Sequence, residues 1–448
     1  MNNLDVLLIN APYPTPSLSY AVEHQGMPPL GLGYLATCLA KEDYSVKIVD
    51  MLLPDVTIEN VMHFFSHGHV RMLGISCTTE TYKSGLLVAK VIKEKHADCI
   101  IVFGGSHVSF EYKSALDTGL VDFIVINEGE NSLKKLCDYC IRGTATLDSL
   151  KGIAYKKNNF IHCAEPEPFI KNLDDLPFPD RTLFGNLTDY VCPATIITSR
   201  GCPGKCIFCA ASVLSGGRYR MRSAKNVVDE FEYLKSLGLD HVFVLDDTMT
   251  ANLARLDQFL DEMLTRDLQM SWYCESRVDR ITKDILSKMK TAGMSNIQFG
   301  VESGNQKILD SIKKEITLEQ VRNVFLWCNE LGIGAVTNVI IGQPDDTEST
   351  ILETIQLAEE LRTYGVTVLT SICTPFPGTP LWENPEDFGV EFVESDLDYY
   401  NTRFPVMNTR YMNATEIRNA YFNATNTIGA NTSLGANTSR RIPHETTN

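Results

Sequence analysis

The sequence lacks the features that mark secreted, membrane-spanning and general nucleic-acid-binding proteins. Lys and Arg number 40 against 56 Asp and Glu, a formal charge of -16, so no basic field is available for a polyanion. The longest apolar runs, such as 100–104 and 242–245, are strand-sized, and residues 1–11 contain neither a basic region nor a signal-peptide cleavage site. We therefore expect a cytoplasmic protein with no nucleic-acid and no membrane partner.

A disulfide framework is also missing. The 13 cysteines are an odd number, and ten of them are scattered along the chain, mostly inside apolar segments, which indicates reduced and buried thiols. The spacing of Cys137 and Cys140 resembles a redox motif, but the pair lies on a helical pattern and is interpreted as structural. The other three, Cys202, Cys206 and Cys209, fall within eight residues and require a chemical explanation.

The first third of the 448 residues alternates short apolar strands with amphipathic helices. Parallel strands need a crossover connection, so this order predicts a parallel sheet with helices on both faces. We expect residues 1–150 to form a doubly wound, Rossmann-like domain. The predicted strands are 5–10, 45–49, 72–76, 99–103 and 123–126.

A proline-rich stretch follows and predicts a linker. Residues 152–156 and 160–164 have the pattern of a small hairpin, and Pro177 and Pro179 bias the next segment toward extended backbone. We place this hairpin and linker at residues 151–190.

A second alternation of strands and helices begins at Ala194 and contains six units, which predicts a partial (β/α)6 barrel over residues 191–395. Active sites of such barrels lie at the carboxyl ends of the strands. Residues 396–448 are interpreted as a small C-terminal cap and a flexible tail, and the Asn- and Thr-rich composition from Asn413 onward predicts disorder.

The three clustered cysteines follow the first barrel strand. Their spacing lets a loop place three thiolates at three corners of an iron-sulfur cube and leaves the fourth iron open for a cofactor or substrate. Structural zinc is the alternative, but it needs four ligands, and no Cys or His follows Cys209 closely enough to supply the fourth.

The motif Cys202-Pro-Gly-Lys-Cys206-Ile-Phe-Cys209 resembles the signature of the radical S-adenosylmethionine (SAM) superfamily. This resemblance implies a [4Fe-4S] cluster held by Cys202, Cys206 and Cys209, whose open iron binds SAM. It also implies reductive cleavage of SAM to a 5′-deoxyadenosyl radical, with an electron from a reducing partner such as flavodoxin or ferredoxin.

Other strand ends match the same family. Gly300-Val-Glu-Ser-Gly304 resembles the segment that contacts the SAM ribose and methionine, although alone it is equally consistent with a simple strand-end turn. Asn338 to Gly342 resembles the strand that contacts adenine, and Pro377 and Gly378 the loop after the last strand. The SAM-binding candidates are Gly300, Glu302, Ser303, Gly304, Asn338, Ile341, Gly342, Pro377 and Gly378.

Asp247 and Arg277 stand at strand ends where this family places polar active-site groups. A structural alternative for the pair Asp246 and Asp247 is the N-cap of the following helix.

The N-terminal domain resembles the cobalamin-binding domain of one large branch of the superfamily. The candidate cobalamin contacts are Pro29, Leu30, Gly31, Thr78, Thr79, Gly104, Gly105, Ser106, His107, Glu128 and Gly129. No Asp-x-His-x-x-Gly run is present, so a histidine-ligated cobalt is not indicated, and we interpret His107 as a loop contact. Ser106 stands where this branch often has proline.

This resemblance implies a cobalamin-dependent radical SAM C-methyltransferase that acts on an unactivated carbon. One SAM would methylate the cobalamin, a second would yield the radical that abstracts a substrate hydrogen, and the substrate radical would take the methyl group. The substrate, a peptide, a protein side chain or a small natural product, stays open.

Two alternatives remain from the sequence. One is a radical peptide epimerase or a ring-forming or rearrangement enzyme without methyl transfer, with Cys373 as hydrogen-atom donor. Cys373 ends the last barrel strand, although a buried core thiol is the simpler interpretation. The other is a non-catalytic cobalamin or iron-sulfur sensor.

Overall fold

The computed structural model describes residues 3–14 and 26–429, and it begins with a seven-stranded sheet. Its strands follow the order β2-β1-β3-β4-β5-β6-β7, and β1 to β5 are parallel. They are β1 (Leu4–Asn10), β2 (Val46–Asp50), β3 (Val70–Ser76), β4 (Ile100–Gly104), β5 (Phe123–Val125), β6 (Ile153–Lys157) and β7 (Phe160–Cys163). The chain reverses its winding between β1 and β3, and ligand crevices of doubly wound sheets form at such switch points.

Helices cover both faces of this sheet, and each face has its own apolar core. They are α1 (Leu30–Lys41), α2 (Ile58–His67), α3 (Tyr82–Lys95), α4 (Ser106–Phe110), α5 (Tyr112–Asp117) and α6 (Glu130–Cys137). In α1 the buried residues Leu32, Ala36 and Leu39 recur at helical spacing and pack against β1. The predicted doubly wound α/β domain is confirmed, while α4 and α5 were not predicted.

The hairpin β6–β7 extends the first sheet. Val125 on β5 pairs with Ile153 on β6 in antiparallel register, and Ile153 and Ala154 are fully buried. These residues therefore complete the core of the N-terminal sheet, although the sequence placed them with the linker.

The second sheet has six parallel strands in the order β15-β14-β13-β12-β11-β8. Its strands are β8 (Thr195–Ile196), β11 (His241–Val244), β12 (Ser271–Ser276), β13 (Met294–Glu302), β14 (Gly334–Ile341) and β15 (Thr367–Ile372). Two-residue strands form two further small sheets, β9 (Ser199–Arg200) with β10 (Arg220–Met221) and β16 (Glu391–Phe392) with β17 (Met407–Asn408). The predicted partial (β/α)6 barrel is confirmed.

The helices of this half are α7 (Ala211–Leu214), α8 (Ala224–Ser236), α9 (Leu253–Arg266), α10 (Lys283–Thr291), α11 (Gln306–Ser311), α12 (Leu318–Leu331), α13 (Glu348–Thr363), α14 (Pro380–Glu383) and α15 (Ala414–Ile428). The apolar faces of α8 to α13 and of α15 form one large core with the strands, whereas Leu381 of α14 belongs to a separate small cluster. The long carboxyl-terminal extension of β13 to Glu302 brings its polar residues to the mouth of the barrel.

Helix α15 contradicts the prediction of disorder for residues 413–428. Asn413 forms a capping box with Glu416, and Ile417, Tyr421, Ala424 and Ile428 are buried at helical spacing against α13 and β15. The composition suggested disorder because the exposed positions are rich in Asn and Thr. The predicted tail beyond residue 429 lies outside the described residues.

In the described ranges no helix combines the length and apolarity that a membrane crossing requires.

Candidate active site

The cysteine loop leaves β9 and ends at α7. Its first residue, Gly201, has φ +91°, and a Cβ there would stand 2.2 Å from the carbonyl oxygen of Arg218, so only glycine fits. The Gly204 amide donates to Cys202 Sγ at 3.4 Å, and a Cβ on Gly204 would lie 3.3 Å from Cys202 Sγ and 3.9 Å from Cys206 Sγ. The loop therefore curls around Gly204 and turns these two thiols to the same side.

Positive charge faces the cysteines. Burial raises the pKa of the Cys206 thiol, and Lys314 and Arg277 oppose that shift. Burial raises the pKa of Cys209 to about 12, and the charges of Cys206, Asp247 and Cys202 add to the rise. Three thiolates in this pocket thus need cationic compensation, which two basic side chains and a bound metal group would supply.

A single-ion site is not formed by these thiols. Among the described residues, no three His, Cys, Asp or Glu side chains gather as ligands of one ion. Cysteines of a four-iron cluster bind different irons and do not converge on one atom. The open loop around Gly204 is therefore consistent with an iron-sulfur cluster, and it does not have the closed four-ligand form of structural zinc.

The two neighbouring aspartates after β11 differ in their surroundings. Asp246 is buried and accepts hydrogen bonds from the amides and hydroxyls of Thr198 and Ser199, so it fixes the start of the cysteine loop. Asp247 accepts the Gly201 amide at 3.2 Å, and its pKa is raised by burial and by Asp246. The N-cap of α9 is Asn252, so capping does not explain the pair.

A buried ion pair lies at the end of β13. Lys314 Nζ donates to Glu302 Oε1 at 2.6 Å, and both side chains are only 8% exposed. Gly300 makes room for this pair, because a Cβ there would lie 2.3 Å from Glu302 Oε1. Arg277 donates to the Lys314 carbonyl at 2.7 Å and to Asp279 at 2.9 Å. Lys314 therefore links Glu302 to Arg277, and Arg277 lies beside the cysteine loop, 3.3 Å from the position of a Cβ on Gly204.

Four other residues that were predicted to contact SAM pack against neighbouring residues of the protein. Ser303 lies 3.2 Å from the Thr354 hydroxyl and is 1% exposed, and the Gly304 amide donates to the same hydroxyl. Ile341 is buried in the barrel core, and Gly342 packs against Ile417 of α15. Each of these four residues thus has a packing partner within the protein.

A cavity of about 400 Å³ opens at the switch point of the N-terminal sheet. Gly31, Gly104, Gly105, Glu128 and Gly129 line it, and all five were predicted as cobalamin contacts. The floor is apolar, with Leu8, Val102 and Leu133, and the opposite wall comes from the cysteine loop and α7. Pro29 and Leu30 stand at the start of α1, beside Gly31.

An ion network joins the two domains beside this cavity, and sequence reasoning missed its basic members. Arg200 donates to Glu128 at 2.9 Å and to Glu130 at 2.5 Å, while Arg220 donates to Glu128 at 3.0 Å. Burial alone would raise the pKa of Glu128, but the two arginines hold it below its ordinary value. Glu128 is therefore already bound within the protein. The only sequence signal for Arg200 was its place directly before the cysteine loop.

A second cavity, of about 600 Å³, lies between the barrel mouth and the N-terminal domain. Thr78, Thr79, Ser106 and His107 line one wall, and Asn338 and Pro377 belong to the other. Gly378 packs against Phe110 of α4, which connects the last barrel loop to the N-terminal domain. Asp247, Ala211 and Leu214 line both cavities, so the two spaces adjoin at this wall.

His107 is enclosed and neutral. Its ring lies 4.3 Å from that of Tyr82, its Nδ1 lies 3.2 Å from the Thr79 hydroxyl, and burial lowers its pKa to about 4. The Nε2 atom has no hydrogen-bond partner among the residues that the structure describes. This position at the domain interface is compatible with the predicted loop contact.

Cys373 is 1% exposed and packs against Leu381, Val390 and Met407. Its thiol donates to Gln343 at 3.3 Å, and burial raises its pKa. This environment is that of a core thiol.

Two family models match the chain. The model of the radical SAM superfamily matches residues 196–358, and that of the B12 binding domain matches residues 21–137.

Known proteins resemble the chain over most of its length. An uncharacterized methyltransferase of Pyrococcus horikoshii is 32% identical over 422 residues, which cover 93% of this chain and 90% of the relative. The anaerobic magnesium-protoporphyrin IX monomethyl ester cyclase of Rubrivivax gelatinosus is 27% identical, covering 87% and 71%. In fold, the chain is similar to the radical SAM methyltransferase TsrM from Kitasatospora setae, solved with cobalamin and a [4Fe-4S] cluster bound. The TM-score is 0.71 at 18% identity, covering 88% of this chain and 81% of that one.

Proposed function

Because the chain belongs to the cobalamin-dependent branch of the radical SAM superfamily and is a radical SAM enzyme, we propose that it is a C-methyltransferase that acts on an unactivated carbon. Its substrate would be a small molecule or a peptide, and a flavodoxin or ferredoxin would deliver the electron. Its cofactors would be a [4Fe-4S] cluster, SAM and cobalamin.

The observation that carries this proposal is the wall shared by the two cavities. Asp247, Ala211 and Leu214 stand between the crevice of the N-terminal sheet and the barrel mouth, directly beside the cysteine loop. A methyl donor in the first cavity and a radical generated at the loop would both reach a substrate in the second.

When bound, the cluster and SAM supply the hydrogen-abstracting radical, and cobalamin supplies the methyl group. The residues present fit these groups. Cys202, Cys206 and Cys209 would hold the cluster in the loop around Gly204, with Arg277 offsetting thiolate charge. The glycines of the first cavity leave room for the cobalamin.

The remaining polar groups would orient SAM and exclude water. Glu302, at φ +73°, is held by Lys314 and faces the loop side of the barrel mouth, where an acidic group suits the SAM ammonium. Gly300, Ser303, Gly304, Asn338, Ile341, Gly342, Pro377 and Gly378 complete the proposed SAM-binding segments.

The proposal can be tested by measuring the compounds that the protein forms from SAM, even while the substrate is unknown. A methyltransferase of this kind uses two SAM molecules per turnover and releases S-adenosylhomocysteine as well as 5′-deoxyadenosine. We expect the reduced, cobalamin-loaded protein to form both compounds and the cobalamin-free protein to form no S-adenosylhomocysteine. Liquid chromatography and mass spectrometry detect the two compounds. Release of 5′-deoxyadenosine alone by the loaded protein would refute methyl transfer.

That outcome would favour a second candidate, a ring-forming radical reaction without methyl transfer. The observation that favours it is the 27% identity to a cyclase over 87% of this chain.

Replacement of Cys373 by alanine tests the epimerase-like alternative. We expect Cys373→Ala to retain most of its activity and to lose about 1 kcal/mol of unfolding free energy, as for the deletion of one buried heavy atom. Cys328→Ala, a buried thiol on α12, is the matched control. A Cys373→Ala protein that cleaves SAM normally but forms no product would restore Cys373 as hydrogen-atom donor.

A further inference from the structure

The segment that carries the cysteine loop is basic within an acidic protein. Residues 190–228 contain six Lys or Arg and no Asp or Glu, while the whole chain has a formal charge of -16. Four of the six are held in ion pairs with carboxylates, namely Arg200, Arg220, Arg222 and Lys225. The other two, Lys205 and Arg218, are exposed and have no ionic partner among the described residues. Their positive charges therefore reach the solvent uncompensated.

Backbone contacts place three such cations along the cysteine loop. At its start, the carbonyl group of Arg218 packs against the first residue of the loop. Lys205 lies in the middle of the loop. At its far end, the Ile207 amide donates to the Ile312 carbonyl at 3.2 Å, and the next residue, Lys313, is also exposed and without an ionic partner in the described ranges. One short loop thus has an exposed positive charge beside each end and at its centre.

The same loop separates solvent from the site proposed for the cluster. Pro203 and Lys205 are exposed, whereas Gly204 between them is buried. A Cβ on Gly204 would lie 3.3 Å from Cys202 Sγ and 3.9 Å from Cys206 Sγ. A protein bound to the exposed side would therefore be separated from the cluster site by the thickness of one loop.

The charge of this patch favours a small acidic partner. Even with Glu315, which is exposed two residues after Lys313, three positive charges stand against one negative charge. A long polyanion would also meet the net negative charge of the rest of the chain, whereas a small partner meets mainly the charges within about 10 Å of it. Redox encounters are among the smallest protein interfaces, so a patch of this size suffices for one.

We propose that Lys205, Arg218 and Lys313 form the docking face for an acidic electron carrier of the flavodoxin or ferredoxin type. In each encounter the carrier loses one electron and the cluster gains it, so no proton or other co-reactant is needed. Opposite charges steer the carrier to the loop. This inference rests on the proposed function only in taking a protein carrier as the source of the electron.

Two reductants separate docking from chemistry. Reduced flavodoxin has to dock, whereas reduced methyl viologen is a small cation that a basic face does not attract. The double variant Arg218→Gln/Lys313→Gln removes two charges and leaves Lys205, which lies between two of the cluster cysteines, in place. With the holoenzyme loaded with cluster, cobalamin and SAM, we expect kcat/KM for flavodoxin to fall at least about tenfold. The rate of 5′-deoxyadenosine formation with methyl viologen should not fall.

The matched control is Lys225→Gln. Lys225 belongs to the same acid-free segment and is exposed, but it pairs with Asp229 on α8. This control should keep the flavodoxin kinetics of the wild type. Raising the ionic strength from about 0.05 M to about 0.3 M should slow the flavodoxin-supported reaction of the wild type more than that of the double variant, because salt screens exposed charges.

Three results would overturn the proposal. The first is a double variant with unchanged kcat/KM for flavodoxin. The second is a double variant that loses SAM cleavage with both reductants, because Arg218 and Lys313 would then act on the cluster site itself. The third is a wild type that cleaves SAM with methyl viologen but with neither flavodoxin nor ferredoxin.

These measurements are independent of methyl transfer, because they follow 5′-deoxyadenosine. If the double variant loses only the flavodoxin-supported reaction and no S-adenosylhomocysteine is formed, the docking face stands and the proposed methyl transfer fails. If S-adenosylhomocysteine is formed but the flavodoxin kinetics do not change in the double variant, the methyltransferase stands and the docking face is wrong.

Discussion

Replacement of Cys202 by alanine is expected to reduce the bound iron and to abolish SAM cleavage. Cys202 is the first cysteine of the loop that would enclose the cluster. Its Sγ accepts the Gly204 amide and lies 3.3 Å from the Thr248 hydroxyl. With only two thiolates left, the cluster loses one of its three protein ligands, and no described Cys or His stands ready to replace it. Iron content and 5′-deoxyadenosine formation measure the effect.

The control for this prediction is Cys192→Ala. Cys192 is also half-buried and lies ten residues earlier in the chain, outside the loop. The control should keep the iron and SAM cleavage of the wild type. If Cys202→Ala also keeps both, the loop does not hold the cluster.

Replacement of Arg200 by methionine is expected to destabilise the contact between the two domains strongly. The change leaves Glu130 without the bond from Arg200 and Glu128 with only Arg220 and the Ile170 amide among the described residues, and both carboxylates are largely buried. Removing one partner of a buried ion pair costs about 3–5 kcal/mol. Unfolding in denaturant, followed by fluorescence and circular dichroism, measures this loss.

An exposed pair provides the comparison. Arg322 binds Glu360 at 2.9 Å, with side chains 46% and 34% exposed, so Arg322→Met should cost about 1 kcal/mol or less. If Arg200→Met costs no more than this control, the network does not stabilise the contact between the domains. Arg200 also forms part of the wall of the first cavity, so the same substitution changes the lining of that cavity.

The alternation of strands and helices was sufficient to predict both sheets, because buried parallel strands such as β4 and residues 242–244 of β11 are continuous apolar runs. Cys202, Cys206 and Cys209 were found from their spacing, since a single loop carries all three. Helix α15 was missed because its apolar positions are separated by Asn and Thr, which weaken a composition-based prediction.

Contacts between distant segments could not be predicted from one sequence. Arg200 and Glu130 are 70 residues apart, and nothing local in either segment indicates their pairing. Glu80 looked like an ordinary loop residue until the fold placed it in the second cavity. Ser303 matched a family motif, but its partner Thr354 is 51 residues away.

The central claim is that this chain holds an iron-sulfur cluster and cobalamin on adjoining surfaces. Metal content and the ultraviolet-visible spectrum, recorded on protein purified without oxygen after cobalamin supplementation, test it most directly. We expect about four irons and about one cobalt per chain, with a corrin band that persists when the Cys202→Ala exchange removes the iron. Iron without cobalt or a corrin band would contradict the claim.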